Sequence, residues 1–273
     1  MTVRDVFRAA SDGLPDPGDR PAGPRKKSKA LEELPALGAE LDDLQERLFA
    51  EGERSVLLVL QGMDTSGKGG TVRHVLGMAN PQGVRYQAFK KPTAAERRHH
   101  FLWRVRKVAP AAGQIGVFDR SHYEDVLVPR VLGQLAGAEL KQRYREINAF
   151  ERELADSGTT VVKVFLHISP EEQLRRLRAR LLDPAKRWKY TPDDLEARER
   201  WHDYQRAYRG VLRQTSTAAA PWYVVPADRK WYRNWVVAGL LLETLREMAP
   251  GYPDPGYDVA AQLAELDAAK ALP

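Results

Sequence analysis

The stretch Gly62-Met63-Asp64-Thr65-Ser66-Gly67-Lys68 decides the fold, because it matches the phosphate-binding pattern G-x-x-x-x-G-K. An apolar run at 56–60 precedes it and a helical stretch at 71–78 follows it. Strand, loop, lysine and helix therefore occur together in the required order, which an ordinary glycine-rich turn would not show. The glycines let backbone N–H groups point at phosphate oxygens, and the helix adds the positive end of its dipole. The residues expected to bind phosphate here are Gly62, Ser66, Gly67, Gly69, Gly70 and Thr71, with Lys68 as a catalytic cation.

Two aspartates are the candidate metal ligands. Gly69 stands where a serine or threonine usually holds magnesium, so another group has to do so. Asp64 is the natural candidate because Mg²⁺ prefers hard oxygen ligands, although a loop aspartate can also simply stabilise its own turn. Asp119 ends the short apolar run 115–118 and should face Asp64 and Lys68 across the phosphates. We therefore expect a site for Mg²⁺, with Mn²⁺ as the alternative ion, and expect Arg120 to bind an acceptor phosphate through its guanidinium.

Short apolar runs alternate with helical patterns along most of the chain. Strands are predicted near 56–60, 84–89, 115–118, 160–168 and 222–225, and helices near 94–108, 140–155, 193–212 and 231–248. A further helix should begin at Ser169, a capping serine followed by proline at the first helical position. Such alternation predicts an α/β fold in which helices sandwich a five-stranded parallel sheet.

The two ends of the chain differ from this pattern. Residues 1–30 are basic and rich in proline and glycine, which predicts a flexible arm. An amphipathic helix at 30–51, interrupted near Pro35 and Gly38, should lead into the main domain at 31–249. Residues 250–273 are expected to form a peripheral tail.

Composition excludes several classes of protein. A chain of 273 residues with 43% hydrophobic content can bury one full core, and no apolar run approaches the roughly 20 residues of a membrane span. The absence of cysteine excludes disulfides and thiolate metal sites, and the first residues lack a secretory apolar region. We expect a cytoplasmic protein with no membrane partner.

Most of the excess positive charge lies in two segments. Residues 85–107 hold eight lysines and arginines against the single acid Glu96, and residues 175–189 hold seven against Asp183 alone. Local fields of this kind favour a polyanionic ligand. The second segment could instead be a solvated helix face, but it follows the fourth strand, where a P-loop kinase carries its lid.

Four blocks of sequence together resemble the polyphosphate kinase 2 family, and they occur in that family's order. These blocks are Gly62 to Thr71, the run Phe118-Asp119-Arg120-Ser121-His122-Tyr123-Glu124-Asp125, the run Asp183-Pro184-Ala185-Lys186-Arg187-Trp188-Lys189-Tyr190, and Ala220 to Asp228. The resemblance extends over about Leu31 to Leu245 and is more specific than a phosphate-binding loop alone.

The resemblance implies a P-loop kinase core with a helical lid at about 175–200. It implies magnesium-dependent phosphoryl transfer between inorganic polyphosphate and a nucleotide. It implies catalytic roles for Asp64, Lys68, Asp119 and Arg120, phosphate binding by Arg130, lid roles for Arg178 and Arg180, and a polyphosphate path along Lys90 and Lys91. Relatives restricted to diphosphates tend to have Ser-Trp-Tyr-Asn-Arg where this chain has Ser121 to Asp125. The chain therefore resembles the class that accepts both nucleoside mono- and diphosphates, AMP and ADP.

Two alternative functions remain open from the sequence. One is an ATP-using nucleoside or nucleotide kinase with the same core. The other is a nucleic-acid-binding P-loop regulator, which the basic segments favour but the scarcity of interleaved aromatic residues disfavours. We expect polyphosphate and nucleotides as ligands, no nucleic acid, and a homo-oligomer.

Overall fold

A five-stranded parallel sheet forms the centre of the protein, as the computed structural model, which describes residues 1–9 and 13–269, shows. The strands are β1 Ser55–Gln61, β2 Val84–Ala88, β3 Ile115–Asp119, β4 Thr159–His167 and β5 Trp222–Pro226. They run in the order β2-β3-β1-β4-β5, and every pairing is parallel. The predicted α/β fold is confirmed.

Helices cover both faces of the sheet. They are α1 Val3–Phe7, α2 Lys27–Glu51, α3 Lys68–Val75, α4 Trp103–Arg106, α5 Glu124–Val131, α6 Gly137–Asp156, α7 Pro170–Leu182, α8 Asp193–Glu199, α9 Trp201–Thr215, α10 Lys230–Met248 and α11 Val259–Ala268. Helix α10 packs on α2, α3, β4 and β5, whereas α6 packs on β4, α5 and α9. Because both faces are covered, β1, β4 and β5 are almost continuously buried, and only the edge strand β2 is largely exposed.

Strand register brings the functional segments to one edge of the sheet. Leu60 of β1 pairs with Asp119 at the end of β3. Parallel strands present their carboxyl ends at the same edge, so the loop after β1 and the residues after β3 are neighbours there. Ligand-binding residues of such sheets collect at this edge.

The first residues are packed on the core, which differs from the flexible arm that their composition predicts. Phe7 of α1 is buried, and the backbone N–H groups of Val3 and Arg4 donate to the Glu243 carboxylate at 2.7 and 2.8 Å. Ala9 then donates its N–H to the Trp222 carbonyl at 2.8 Å, beside the open edge of β5. Composition alone does not predict this packing, because it depends on one anchoring aromatic residue and on an unpaired strand edge.

Helix α2 is continuous where the sequence predicts an interruption. Pro35 removes one helical hydrogen bond, but Ala30, Leu41 and Leu48 are buried along the face that contacts α10. Gly38 is needed for close packing, since a Cβ there would lie 2.7 Å from the sulfur of Met78. Tertiary packing therefore holds this helix through its weak points.

The prediction of one long helix at 94–108 is wrong. The structure has a 3₁₀ turn at Glu96–Arg98 and the short α4 instead. The bases of this segment have no acidic residues spaced four positions away that would support a longer helix.

The tail after the main domain contains α11, none of whose residues is buried. The expected arm and tail also include residues 10–12 and 270–273, which lie outside the described residues. Among the helices that the structure describes, none is long and apolar enough to cross a membrane.

Candidate active site

The phosphate-binding loop has a backbone that requires its glycines. Gly62 and Gly67 have φ values of 151° and 113°, in the region that side chains rarely adopt. A Cβ at Gly62 would lie 2.7 Å from the Leu166 carbonyl oxygen, and one at Gly67 would lie 1.6 Å from Nη1 of Arg233. The loop thus folds tightly between β4 and α10, and its backbone can approach a ligand closely.

Lys68, the first residue of α3, turns its side chain back along this loop. Its Nζ donates to the Gly62 carbonyl at 2.8 Å, and the side chain is buried. Burial lowers the pKa of Lys68, as does Arg120, whereas the carboxylates of Asp64 and Asp119 oppose this shift. A buried ammonium group held next to carboxylates is suited to a phosphate that arrives with negative charge.

Three hydroxyl groups of this region are buried without a hydrogen-bond partner. They are Oγ1 of Thr65, Oγ of Ser66 and Oγ1 of Thr71. A buried hydroxyl that makes no hydrogen bond costs about 1–3 kcal/mol, so native structures rarely leave several together. Ser66 and Thr71 are among the residues predicted to bind phosphate, and phosphate oxygens would supply the missing partners.

The residues after β3 close onto the loop. Arg120 has a φ of 64°, an unfavourable conformation for a residue other than glycine, and its N–H donates to the Leu60 carbonyl at 3.0 Å. Its Nη2 donates to Oδ1 of Asp64 at 2.8 Å. Although burial opposes its charge, Glu124 and Asp64 raise the pKa of Arg120 above its ordinary value. The guanidinium therefore stays charged at the edge of the loop.

Asp119 lies against the start of α3. Its Oδ2 accepts a hydrogen bond from the Tyr86 hydroxyl at 3.3 Å and lies 3.9 Å from the place that a Cβ would occupy on Gly69. A larger residue at position 69 would narrow this space. The structure thus brings together Asp64, Lys68, Asp119 and Arg120, the four residues that the sequence predicts to be catalytic.

The carboxylates of Asp64 and Asp119 fit a hard divalent cation. Among residues 1–9 and 13–269, no group of three or more histidine, aspartate or glutamate side chains could form a complete metal cage. Mg²⁺ does not need one, since it commonly keeps several waters and uses one or two carboxylates together with substrate phosphates. The donor set therefore suits magnesium or manganese bound together with a substrate.

The sequence did not predict two arginines that support the loop. Arg176 of α7 is buried and donates to the carbonyls of Thr65 at 2.9 Å and Ala227 at 2.7 Å, so it ties the loop to the end of β5. Arg233 of α10 is also buried and donates to the Ser66 carbonyl at 3.2 Å. Arg176 belongs to the basic segment 175–189, and no local pattern distinguishes it from the other cations there. Arg233 lies in a stretch whose pattern predicts only an ordinary packed helix.

The other predicted site residues are either exposed or bonded to residues outside the phosphate-binding loop. Lys90 and Arg178 are exposed, and Lys91 pairs with Asp193 of α8 at 2.7 Å. Arg130 donates to the Tyr144 hydroxyl at 3.2 Å, and Arg180 lies 3.5 Å from Asp194. Their roles in phosphate binding stay predictions.

Helix α8 nevertheless reaches the site. Burial raises the pKa of Asp194, and the nearby carboxylate of Asp64 adds to the rise. Gln173 of α7 donates to the Asp64 carbonyl at 3.4 Å and accepts from Arg198 of α8 at 3.0 Å. The segment expected to form a lid thus stands beside the metal-binding candidate Asp64.

A cavity of about 460 Å³ lies between the 92–104 segment and α6. Its wall includes Phe101, Arg104, Asp125 and Arg143. Asp125 is five residues beyond Arg120, and Arg104 bonds to it at 3.1 Å. The size is within the usual range of small-molecule sites.

A parallel α/β sheet, a phosphate-binding loop after β1 and an acidic residue at the end of β3 define the class of P-loop kinases. Within this class, the model of the family described as polyphosphate kinase 2 matches residues 25–252. The chain belongs to the polyphosphate kinase 2 family, which confirms the resemblance seen in its motifs.

Known proteins of this family are similar over most of the chain. An AMP/ADP-polyphosphate phosphotransferase of Meiothermus ruber is 51% identical over 240 residues, which cover 88% of this chain and 90% of that protein. An ADP-polyphosphate phosphotransferase of Rhodopseudomonas palustris is 42% identical over 226 residues, 78% of each chain. The crystal structure of polyphosphate kinase 2 from Arthrobacter aurescens TC1 has a TM-score of 0.96 at 48% identity and 98% coverage of both chains.

Proposed function

We propose that this protein transfers a phosphoryl group between inorganic polyphosphate and nucleoside mono- or diphosphates, converting AMP to ADP and ADP to ATP, with Mg²⁺ bound. The observation that carries the proposal is the gathering of Asp64, Lys68, Asp119 and Arg120 around a loop whose hydroxyls lack partners. The relative from Meiothermus ruber is named for AMP and ADP, and that from Rhodopseudomonas palustris for ADP.

The four residues suit a reaction in which the protein has little covalent work. Phosphoryl transfer depends on in-line positioning and on stabilising charge at the transferring group. The loop amides and Lys68 hold the donor phosphates, and Arg120 orients the acceptor phosphate. Asp64 and Asp119 would hold Mg²⁺, which neutralises phosphate charge when bound.

A strong general base is not needed, because the acceptor phosphate is already anionic near neutral pH, with a second pKa of about 6. We therefore assign Asp64 to metal binding and acceptor orientation first, and to proton acceptance second. Its contact with Arg120 suits this order, since it places the Asp64 carboxylate beside the guanidinium that we assign to the acceptor phosphate.

The nucleoside of the acceptor has room in the cavity beside Asp125. Phe101 offers an aromatic surface, and Arg104 and Arg143 offer donors. The segment 175–200 would close over the phosphates, bring Arg178 and Arg180 to them and exclude water.

The test is incubation of the purified protein with polyphosphate, Mg²⁺ and, separately, AMP, ADP, GMP and GDP, followed by chromatography of the products. We expect ADP and ATP from AMP, and ATP from ADP. A parallel incubation with ATP in place of polyphosphate tests for an ATP-using kinase. If no nucleotide product formed from polyphosphate, the proposal would be wrong.

A further inference from the structure

Residues 17–27, which we call the N-terminal strap, lie across the first turns of α10. The carbonyl oxygen of Pro17 accepts from the Asp228 N–H at 3.2 Å, and that of Gly18 accepts from Arg229 at 3.3 Å. Farther along, the Tyr232 hydroxyl donates to the Ala22 carbonyl at 2.6 Å. The strap therefore has a fixed place on α10.

Close packing holds the middle of the strap as well. Gly23 has a φ of 74°, and a Cβ there would lie 2.2 Å from the ring of Trp235. Pro24 is buried, and Trp235 is itself held by a hydrogen bond from its Nε1 to Glu33 at 2.8 Å. The side chains on either side of Gly23 and Pro24 are thus displayed from a rigid backbone.

The strap displays cations that have no acidic partners. Arg25, Lys26 and Lys27 are exposed, Arg20 is partly exposed, and none of the four forms an ion pair with any residue in the described part of the chain. Asp19 is the one acid within 17–27. Burial raises the pKa of Tyr232, whereas Arg25 and Arg20 oppose this rise, which places both charges near the start of α10.

This positive surface continues to the phosphate-binding loop. Lys230, the first residue of α10, is exposed, and partial desolvation together with the charges of Arg176 and Arg233 lowers its pKa. Those two arginines donate to carbonyls of the loop itself. The strap contacts Asp228 and Arg229, the two residues directly before Lys230. Lys230 therefore lies between the phosphate-binding loop and the strap.

We propose that Lys230 and the N-terminal strap bind the distal part of a long inorganic polyphosphate chain whose reacting end lies in the phosphate-binding loop. The inference rests on the proposed function and adds a second contact region for the same substrate. A linear chain with a charge on every unit can contact a row of separate cations, and a long chain held in the loop contacts more of them than a short oligophosphate does. Nucleic acid is a poorer match, because Tyr232 is buried and offers no ring on which a base could stack.

The test compares two lengths of the same substrate. A variant with Arg20→Gln, Arg25→Gln, Lys26→Gln and Lys27→Gln is assayed with long-chain polyphosphate and with hexaphosphate, using ADP as acceptor. The KM for the long chain should rise about tenfold, the combined effect of several weak exposed contacts, while the KM for hexaphosphate and both kcat values stay unchanged. Lys230→Gln should act in the same direction.

The matched control removes four exposed cations from α6 and α9, on the other face of the sheet: Lys141→Gln, Arg145→Gln, Arg152→Gln and Arg213→Gln. It changes the net charge equally, so it separates a local contact from a general electrostatic effect, and it should leave both KM values unchanged. Equal thermal unfolding temperatures show that the variants are folded.

An unchanged long-chain KM in the strap variant would overturn the proposal, as would an equal rise for both lengths. So would duplex DNA that binds the strap more tightly than polyphosphate does at the same salt concentration. If the unaltered protein made no product with either length, the proposed function itself would have failed.

Discussion

Arg120 donates from Nη2 to Oδ1 of Asp64 at 2.8 Å, so the residue that follows β3 is bonded directly to the middle of the phosphate-binding loop. Arg120 also has a φ of 64°, a conformation that residues with a side chain seldom adopt. Such a backbone conformation costs about 1–3 kcal/mol and persists where the surrounding structure enforces it. The strained backbone and the ion pair together keep the two residues in place before a substrate arrives.

The role of Asp64 can be tested by Asp64→Asn, which keeps the size of the side chain but removes its charge. We expect kcat to fall by about 10²–10³-fold, the usual effect of losing one preorganised electrostatic group, and the Mg²⁺ dependence to shift to higher concentration. Steady-state kinetics over a magnesium titration measure both. Asp43→Asn, on the surface of α2, should change neither. Near-normal turnover with unchanged Mg²⁺ dependence would rule out metal binding by Asp64.

The predicted lid arginines can be tested together. Arg178→Ala with Arg180→Ala should lower turnover by about 10²-fold or more, because both guanidinium groups would contact phosphates only when the lid closes. Thermal unfolding should change little, since Arg178 is exposed and Arg180 contacts only lid residues, the Lys189 carbonyl at 3.2 Å and Asp194 at 3.5 Å. Arg206→Ala, which removes an exposed cation of α9, serves as the control. Normal kinetics in the double variant would rule out a lid role for these two arginines.

His167 should make the protein sensitive to acid. Burial lowers the pKa of His167 to about 4, whereas an unfolded histidine has a pKa of about 6.5. Between these values the unfolded chain binds more protons than the folded one, so the free energy of unfolding falls as the pH drops from about 6.5 to about 4. The difference corresponds to about 3 kcal/mol.

Urea denaturation across this pH range tests the prediction. Between the two pH values, the free energy of unfolding of the His167→Asn variant should fall by about 3 kcal/mol less than that of the unaltered protein, whatever the stability of the variant at neutral pH. The exposed His202 is the control, and His202→Gln should keep the original pH dependence. Identical pH dependence in all three proteins would show that His167 is not the group responsible.

A buried ion pair between β4 and α6 should contribute to the free energy of unfolding. Lys163 of β4 donates to Oε2 of Glu151 at 2.5 Å, and Tyr123 donates to Oε1 of the same carboxylate at 2.7 Å. Both charges are fully buried, so removing either one leaves the other without compensation. We expect Glu151→Gln and Lys163→Met each to lower the free energy of unfolding by about 3–5 kcal/mol in denaturant titrations.

The exposed pair of Arg106 with Glu153 is the matched comparison on the same helix, α6. Glu153→Gln should cost no more than about 1 kcal/mol, because solvent screens that pair. Similar small costs at both pairs would mean that the buried network contributes little.

Contiguous motifs explain why the sheet and much of the candidate site could be predicted from the sequence. The phosphate-binding loop, its flanking strand and helix, and Asp119 with Arg120 are read from neighbouring residues. The parallel sheet then forces these segments to one edge, so bringing Asp64, Lys68, Asp119 and Arg120 together needs only the topology.

Features that depend on how distant elements cross could not be predicted. Arg176 and Arg233 support the loop only because α7 and α10 pass beside it, and nothing near either residue in the sequence marks that crossing. The arm is similar, since its average composition suggests disorder while Phe7 and Pro24 are buried against the core. The segment 94–108 does not form one long helix because its positive charges have no acidic partners at helical spacing, a property that apolar periodicity does not reveal.

The contact of Gly67 with Arg233 limits which other protein scaffolds could accept the phosphate-binding loop. Nη1 of Arg233 fills the space that a side chain at position 67 would need, and Nη2 lies 3.0 Å from the corresponding point at Gly70. A designer who grafts residues 62–68 into another scaffold without an arginine in this place would leave a void beneath the loop and remove one of the two hydrogen bonds, from Arg233 and Arg176, that the Ser66 carbonyl accepts. A transplanted loop would therefore need the first turn of α10 beside it. These two pieces of chain are far apart in the sequence, since 167 positions separate Ser66 from Arg233.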